Sequence, residues 1–394
     1  MKSSNQLVSL VASHLDCYIA FAYACGVENL SHNYLSTRRI PQLDAVRGIA
    51  ILLVLIHNTD SFPSLHLVPI STYGWMGVDL FFVLSGFLIT DILLATKQSD
   101  GYFRKFYVRR CLRIWPLYYS LLIFMFVIVP HLRPADAHAI FERSSPWWAY
   151  AFFLQNFFVA IPAQAAGALG VTWSLAIEEQ FYLIWPLIVR HFSSMQIKRI
   201  ALGVILLSPL VRFNLALHHV NIYSNFFCRL DGLMMGALLA VLIHSEAFVP
   251  LEHVKLAWVS LFLASSLAIL AENRQIQWIT FSMTSWASAS LIYLSLFSQW
   301  KWIQSIFKNR FLTYTGVISY GLYLLHKIPL DVIKATHFKR YSFFCILMAF
   351  VFSYLLAAIS WTILEKPFLK LKRFVDSRPV ARLSSNPPTM QVST

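Results

Sequence analysis

Acidic residues are scarce in this sequence, and charge of either sign is sparse. Asp and Glu account for 18 of the 394 residues, and all charged residues together make up 13% of the chain. Hydrophobic residues make up 58%, and the mean hydropathy is +0.60. So few charges do not solvate the surface of a soluble domain of this length. The composition therefore excludes a soluble domain and predicts a polytopic membrane protein.

Cysteine is also rare, and the five cysteines show no spacing typical of metal ligands or of a disulfide framework. We therefore expect no metal site and interpret the cysteines as packing residues. They are Cys17, Cys25, Cys111, Cys228 and Cys345.

Basic residues, in contrast, number 32 and give a formal net charge of +14. They occur in short clusters between apolar runs, as the positive-inside rule expects of cytoplasmic loops, so the charge does not indicate a nucleic-acid partner. A cytoplasmic N-terminus places most of these clusters inside. We therefore predict that both termini are cytoplasmic.

Apolar runs of about 17 to 23 residues, the length that crosses a bilayer as a helix, recur along the chain. They predict an all-α fold, a polytopic membrane bundle of about ten transmembrane helices. The Trp-rich segment at 146–158 is too short for a further span. We expect residues 1–39 to be an interfacial or poorly ordered extension, 40–375 the membrane domain and 376–394 a disordered tail. The predicted spans are 45–63, 73–95, 114–130, 172–190, 199–215, 229–245, 255–271, 277–297, 312–332 and 342–364.

The first span carries a histidine, in the stretch LDAVRGIAILLVLIHN at 43–58. Arg47 and His57 are ten residues apart, which is about 15 Å along a helix. With Arg47 at the cytoplasmic edge, His57 lies near the bilayer midplane, where a polar group has to be hydrogen-bonded, paired or catalytic. Two interpretations stay open: a core histidine bonded to a neighbouring helix, or a functional histidine.

Three carboxylates also lie within apolar runs and need partners. Asp79 enters the second span in GWMGVDLFFVLSGFLITD, and a histidine whose ring must be oriented is a chemically sensible partner for it. Glu178 and Glu179 lie in VTWSLAIEEQFYLIWP and point to different faces. We expect one of them to be paired inside the bundle and the other to face water or a cavity. Ser85 and Gly86 form a small-residue notch, which we interpret as helix packing.

A cluster of guanidiniums precedes the third span, in FYVRRCLRIWPLYY. Arg113 follows Arg109 by four residues and Arg110 by three, so on a helix the three lie on one side. Such a fork suits phosphates, which arginine binds bidentately. The alternative is a topology-setting loop that contacts anionic lipid headgroups.

Two further polar sets are less specific. Arg229 and Asp231 lie at the outer end of a span in CRLDGLMMGALLA, where they either form an ion pair or bind a polar acceptor. Tyr320, Tyr323 and His326 in SYGLYLLHKIP follow at spacings of three, roughly on one helix face. Rims of this kind bind sugars, but aromatic stripes are more often packing, so both interpretations are kept.

Taken together and in this order, these motifs resemble the acyltransferase 3 family of integral-membrane acyltransferases over about residues 40–375. His57 matches the family's essential first-helix histidine, and Arg47 matches the arginine upstream of it. Many members have one more residue between the two, which puts direct contact between Arg47 and His57 in doubt. The matching stretches are LDAVRGIAILLVLIHN, GVDLFFVLSGFLI, YVRRCLRIWPLYY, WSLAIEEQFYL, RLDGLMMGALLA, SYGLYLLHKIP and LEKPFLKLKRF.

The resemblance also assigns the remaining motifs. Arg109, Arg110 and Arg113 match the arginine motif of the cytoplasmic side, and Glu178 and Glu179 lie in the glutamate motif. On this interpretation Arg47 and the three arginines of this motif bind the donor, and His57 acts as a general base or as a transient acyl carrier. Asp79 or Glu178 then orients the imidazole.

The implied activity moves an acyl group, commonly acetyl from cytoplasmic acetyl-CoA, onto a hydroxyl of a cell-surface or exported carbohydrate. The resemblance implies no bound cofactor and a location in the bacterial inner membrane, in contact with lipids. The acceptor stays open between lipopolysaccharide O-antigen, exopolysaccharide, another glycan and a smaller glycoside. Some members carry a C-terminal esterase-like domain, which we do not expect in this chain. We therefore expect transfer to finish within the membrane domain or on a separate extracytoplasmic partner.

A transporter or flippase of a lipid-linked glycan is the rival interpretation, because buried charges also line substrate pathways. The sequence shows neither hydropathy symmetry between its halves nor the Gly/Pro-broken helix pairs typical of transporter repeats. A non-catalytic scaffold has little use for a midplane histidine and a paired-glutamate helix. The acyltransferase interpretation is therefore favoured.

Overall fold

The computed structural model describes residues 40–59, 69–132, 145–158, 163–245, 253–335 and 342–373. The predicted extension at 1–39 and the predicted tail at 376–394 lie outside these ranges. Within them the chain is helical and contains no β-strand. The α-helices are α1 (Pro41–His57), α2 (Pro69–Tyr73), α3 (Met76–Ala95), α4 (Tyr102–Ile123), α5 (Val129–Leu132), α6 (Trp147–Ala151), α7 (Thr172–His191), α8 (Ser194–Leu217), α9 (Phe226–Ile243), α10 (Val254–Asn273), α11 (Gln277–Phe297), α12 (Lys301–Phe307), α13 (Arg310–Val317), α14 (Ser319–Leu325), α15 (Lys327–Ala335), α16 (Ser342–Ser360) and α17 (Lys366–Lys370). The 3₁₀ segments are Gln155–Phe157 and Ala163–Val171, and the π-helical segments are Phe124–Ile128 and Trp361–Glu365.

The predicted all-α membrane bundle is confirmed. In the described part, six helical stretches are long and apolar enough to cross a membrane. Three more of the predicted spans are helices that are too short or too polar to be counted with these six. The helix α1 has only 17 residues, and polar residues lower the hydropathy of α7 and α11. The six stretches are Ser71–Ala95, Tyr102–Leu132, Ser194–Leu217, Phe226–Ile243, Val254–Asn273 and Phe343–Lys370.

One predicted span is wrong, because residues 312–332 do not form a single helix. They belong to the three short helices α13, α14 and α15. Pro329 has no amide hydrogen to donate to the carbonyl of Leu325, four residues back, and its ring disfavours one continuous helix through α14 and α15. In the turn between these two helices, Nδ1 of His326 lies 3.1 and 2.8 Å from the backbone oxygens of Leu322 and Tyr323.

The helices form two compact units. The described part of the first comprises residues 40–59, 69–98, 174–245 and 253–319. In this unit α3 packs along α9 and α11, α8 packs along α9, and α1 packs against α3 and α13. The first unit therefore contains the helices that carry the histidine, the second-span aspartate and the two glutamates.

Glycine lets the central pair of this first unit approach to backbone contact. A Cβ on Gly86 of α3 would clash with the carbonyl oxygen of Leu233, and a Cβ on Gly236 of α9 would clash with that of Val83. Small residues at such crossings allow close helix packing. The packing interpretation of Gly86 is therefore confirmed.

The second unit comprises, in its described part, residues 99–132, 145–158, 163–173, 320–335 and 342–373. Here α4 packs against the second π-helical segment and α17, and α15 packs against α16. The Trp-rich segment contributes α6, which has five residues and is too short to cross a membrane, as predicted. This unit holds the arginine cluster.

Candidate functional site

His57 is the last residue of α1, so the span predicted at 45–63 begins earlier and ends sooner than expected. The side chain is half-buried. Its ring Nδ1 lies 2.9 Å from the backbone oxygen of Ser71. Because a carbonyl oxygen only accepts, Nδ1 carries the hydrogen, and Nε2 is the basic nitrogen of the neutral ring. The backbone around Ser71 therefore sets both the tautomer and the direction of the imidazole.

Gly74 allows this backbone to lie against the end of α1. Its amide donates to the oxygen of Ser71 at 3.3 Å, so the same oxygen serves the turn and the histidine. A Cβ at Gly74 would lie 2.8 Å from the Cβ of His57 and would clash with the carbonyl oxygen of Leu53. Only glycine fits this approach without displacing the histidine.

Arg47 lies near the other end of α1 and has its own partner. Its Nη1 donates to Oδ1 of Asp44, one turn earlier, over 2.9 Å. Asp44 was not a candidate on sequence grounds, although a carboxylate three residues before an arginine is the expected signal for such a pair. Arg47 is therefore held at the start of the helix by Asp44, about 15 Å along the axis from His57.

Asp79 is buried in α3 and forms an ion pair with Arg229 of α9. Arg229 Nη2 donates to Asp79 Oδ1 over 2.7 Å, and both side chains are at most 2% exposed. The guanidinium also stacks on Phe281, with Cζ 4.0 Å from the ring centroid. The partner that burial requires for Asp79 is thus Arg229 rather than His57. These contacts do not support the hypothesis that Asp79 orients the imidazole.

Asp231, two residues after Arg229, pairs with a different arginine. Arg212 of α8 donates to its Oδ2 over 2.9 Å, and Ser282 Oγ of α11 donates to the same oxygen over 2.6 Å. Arg212 also donates to two backbone oxygens, at 2.9 and 2.5 Å. Residues two apart on a helix do not face each other. Arg229 and Asp231 are therefore each ion-paired with a residue of another helix, so the alternative that they pair with one another is wrong.

Arg212 is a residue that the motifs did not single out. It is fully buried inside the predicted span at 199–215, and an arginine within an apolar run is itself a signal of a buried partner. Its partner cannot be read from spacing, because Asp231 and Ser282 lie on other helices.

Tyr223, in the turn between α8 and α9, lies beside the Asp79–Arg229 pair. The Cζ of Arg229 is 5.6 Å from its ring centroid. Desolvation by the surrounding groups raises the pKa of Tyr223 to about 12. The phenol is therefore neutral at physiological pH and adds no charge to the buried pairs.

Glu178 of α7 is half-buried, and hydroxyls bond both oxygens of its carboxylate. Ser85 Oγ donates to Oε1 over 2.8 Å, and Tyr182 OH donates to Oε2 over 3.0 Å. This fits the expectation that one glutamate is paired inside the bundle; Glu179, the next residue, is also half-buried. Ser85, interpreted from the sequence as a packing residue, is instead a polar partner of the glutamate.

The arginine cluster lies on α4, in the second unit. Arg109, Arg110 and Arg113 are all half-buried, and the helix places them on one side as expected. The Cζ of Arg110 is 5.6 Å from the ring centroid of Phe106. Arg113 interacts electrostatically with Glu365 of the second π-helical segment. Glu365 was not a candidate on sequence grounds, although it lies in the matching stretch LEKPFLKLKRF that ends the membrane domain.

Tyr323 and His326 lie in the same unit but bond to the backbone. Tyr323 OH donates to the oxygen of Val171 over 3.1 Å. His326 is fully buried, and its Nδ1 bonds carbonyls of its own turn. This geometry fits the structural alternative for both residues better than a sugar-binding rim.

Comparison with known proteins gives a match over most of the chain. A family described as an acyltransferase domain, acyltransferase 3, matches residues 40–365. A protein of Staphylococcus aureus (strain COL) named "Putative O-acetyltransferase" is 28% identical over an alignment of 370 residues that covers 86% of this chain and 58% of that protein. Peptidoglycan O-acetyltransferase OatA of Listeria monocytogenes is 27% identical over an alignment of 318 residues that covers 74% of this chain and 49% of OatA.

The chain spans about half the length of the curated relatives it matches. No solved structure matches it.

Proposed function

Because the chain belongs to the acyltransferase 3 family, we propose that it transfers an acetyl group from acetyl-CoA to a hydroxyl of a cell-wall or exported carbohydrate. The acceptor class follows the relatives, one of which is named a peptidoglycan O-acetyltransferase. The observation that carries the proposal is the imidazole of His57, whose Nδ1 is bonded to the backbone oxygen of Ser71. That bond prepares Nε2 for proton transfer or for attack on an acyl group.

We propose general base catalysis as the first mechanism to test. Nε2 of His57 takes the proton of the acceptor hydroxyl while the hydroxyl oxygen attacks the thioester carbon. The C–S bond then breaks, and the CoA thiolate takes up a proton, which the imidazolium can supply. The Nδ1 hydrogen bond to Ser71 persists throughout and stabilises the imidazolium that forms, as an acceptor beside a catalytic histidine does.

In the alternative mechanism His57 is the acyl carrier. Nε2 attacks the thioester, CoA leaves, and an acetyl-imidazole forms that the acceptor hydroxyl then cleaves. Both mechanisms need the same tautomer. They differ in whether the protein is acetylated before an acceptor is present.

Different residues are proposed to bind the donor and to supply the catalytic carboxylate. We propose that Arg109, Arg110 and Arg113 bind the phosphates of acyl-CoA, because arginine pairs with phosphate bidentately. We propose that Glu178, which accepts hydrogen bonds from two hydroxyls, is the carboxylate that takes part in catalysis. The depth of His57 and a cytoplasmic position of both termini are parts of the same proposal.

The test is acetyl transfer by the full chain in proteoliposomes, with radiolabelled acetyl-CoA and a peptidoglycan fragment or an exopolysaccharide as acceptor. His57→Asn keeps an N–H donor for the oxygen of Ser71 but has no basic nitrogen. The rate should fall by about 10²- to 10⁴-fold, the contribution of a general base. His218→Asn is the matched control, because His218 is exposed at the end of α8.

The outcomes separate the alternatives. Label on the wild-type protein before acceptor is added, but not on His57→Asn, selects the acyl carrier over the general base. Movement of a lipid-linked glycan without any label transfer selects the flippase and refutes the acyltransferase. A His57→Asn variant as active as His218→Asn removes His57 from the mechanism.

A further inference from the structure

Glu365 is a buried carboxylate that the proposed mechanism leaves without a function. It is 3% exposed and ends the second π-helical segment, between α16 and α17. Ser360 Oγ donates to its Oε1 over 2.9 Å. A hydroxyl satisfies part of the hydrogen-bonding capacity of the carboxylate but does not compensate its charge, which a nearby cation stabilises.

That cation is Arg113, the last member of the arginine cluster. The two side chains interact electrostatically, and α4 packs against the π-helical segment that carries Glu365. They do not form a direct ion pair in the described part of the chain. The N–H groups of Arg113 therefore stay available, and the guanidinium can donate to a phosphate while the attraction of Glu365 restricts its orientation.

A second contact holds α4 at the same level. Tyr320 OH donates over 2.7 Å to the backbone oxygen of Ile114, the residue after Arg113. Gly321, beside Tyr320, makes room for the carboxylate, because a Cβ there would lie 3.1 Å from Glu365 Oε1. The tyrosine thus fixes α4 next to Arg113, and the neighbouring glycine leaves space for the buried carboxylate.

The π-helical geometry explains how the carboxylate arrives there. A π turn shifts the side chains that follow it relative to an α-helix, and such turns occur frequently at functional sites. In this chain the turn covers Trp361–Glu365 and returns to α-helix at Lys366. An uninterrupted α16 would carry Glu365 on a different face.

We propose that Glu365 is a positioning residue that holds Arg113 in the orientation that binds a phosphate of the acyl-CoA donor. The inference rests on the proposed function, specifically on donor binding by the arginine cluster. A purely structural Glu365, needed only to accept from Ser360, predicts a different response to loss of its charge.

The test compares Glu365→Gln with Glu272→Gln. The first variant keeps an oxygen for Ser360 and removes the charge; the second makes the same change at a half-buried glutamate of α10. Glu365→Gln should raise the KM for acetyl-CoA by about tenfold, the size of a weakened charge-assisted hydrogen bond. The KM for acceptor should stay unchanged, and Glu272→Gln should behave like the wild type.

A donor without phosphates makes the test specific. With S-acetyl-pantetheine, which lacks the nucleotide phosphates, Glu365→Gln should be no worse than the wild type. Arg113→Gln should raise the KM for acetyl-CoA by a similar factor, and the double variant should add little, because both changes disable the same contact. Gly321→Ala, which crowds the carboxylate at 3.1 Å, should give a smaller increase in the same direction.

The other outcomes overturn either the positioning inference or the proposed function. If Arg113→Gln raises the KM for acetyl-CoA and Glu365→Gln does not, the positioning inference is wrong and donor binding by the cluster stands. If Glu365→Gln lowers the rates with acetyl-CoA and S-acetyl-pantetheine equally, Glu365 is structural. If the wild type transfers no acetyl group, the proposed function itself fails.

Discussion

Replacing Gly74 by alanine adds one methyl group beside the candidate catalytic histidine. The new carbon would lie 2.8 Å from the Cβ of His57, whereas non-bonded carbons rest about 3.5 to 4.0 Å apart. It would also clash with the carbonyl oxygen of Leu53. Backbone atoms of α1 cannot rotate away, so the turn around Ser71 and the end of α1 have to separate by about 1 Å.

A displacement of this size is large for a catalytic group. Misplacement by about 1 Å costs about 10²-fold in rate, because reacting atoms have to be aligned closely. The same movement lengthens the 2.9 Å bond between His57 Nδ1 and the oxygen of Ser71. We therefore expect Gly74→Ala to lower kcat about 100-fold while the KM for acetyl-CoA changes little.

The measurement is the initial rate of acetyl transfer in proteoliposomes, with thermal unfolding in detergent as a control for folding. Gly203→Ala is the matched variant, because a Cβ at Gly203 in α8 meets no atom within 4 Å. It should keep full activity and gain about 0.5 to 1 kcal/mol of stability, as helical glycine-to-alanine changes do. If Gly74→Ala is folded and as active as Gly203→Ala, the position of His57 does not limit the reaction and the reasoning is refuted.

The remaining predictions concern the buried ion pairs and the glutamate. Asp231→Ala leaves the charge of Arg212 buried and should cost about 3 to 5 kcal/mol of stability, measured as a lower Tm in detergent. Adding Arg212→Leu removes the unpaired charge and should restore part of that stability. A double variant no more stable than Asp231→Ala would contradict the pairing. Ser85→Ala removes one hydroxyl from Glu178, a loss of about 0.5 to 1.5 kcal/mol, and should lower acetyl transfer about two- to tenfold with little change in Tm. Ser290→Ala, which breaks a bond to another serine, is its control, and equal activities would remove Ser85 from the site.

Hydropathy and spacing predict much of this fold because bilayer length limits what a helix can be. The predicted span at 312–332 is the exception, because hydropathy does not report where a helix is interrupted. The run is largely apolar, but Pro329 cannot donate to the carbonyl of Leu325 and interrupts the backbone ladder. Local backbone chemistry therefore outweighs the apolar pattern there.

The candidate site was predictable to the extent that its residues lie in unusual places. Burying an ionisable side chain in apolar surroundings costs free energy, so the histidine, the three carboxylates and the arginines stand out in the sequence. Their partners do not, because the hydrogen bond of His57 goes to the backbone of Ser71, and the bond of Glu178 goes to Ser85, 93 residues earlier. No side-chain pattern reports the first contact, and Ser85 has the size and spacing of an ordinary packing residue.

The ion pairs of α9 illustrate how sequence and structure combine. Arg229 and Asp231 are two residues apart, so they point in different directions and are paired to α3 on one side and to α8 on the other. Buried pairs add little net stability, but losing one partner is costly, so they favour a single rotation of the helices they join.

That rotation matters for α3, which carries Asp79 in one ion pair and Ser85 six residues later. Six residues turn a helix by about 600°, which places the two side chains on different faces. A rotation of α3 that broke the bond of Asp79 to Arg229 would also move Ser85 away from Glu178. The buried pair and the proposed catalytic carboxylate are therefore coupled through one helix, and variants of Asp79 should lower activity as well as stability.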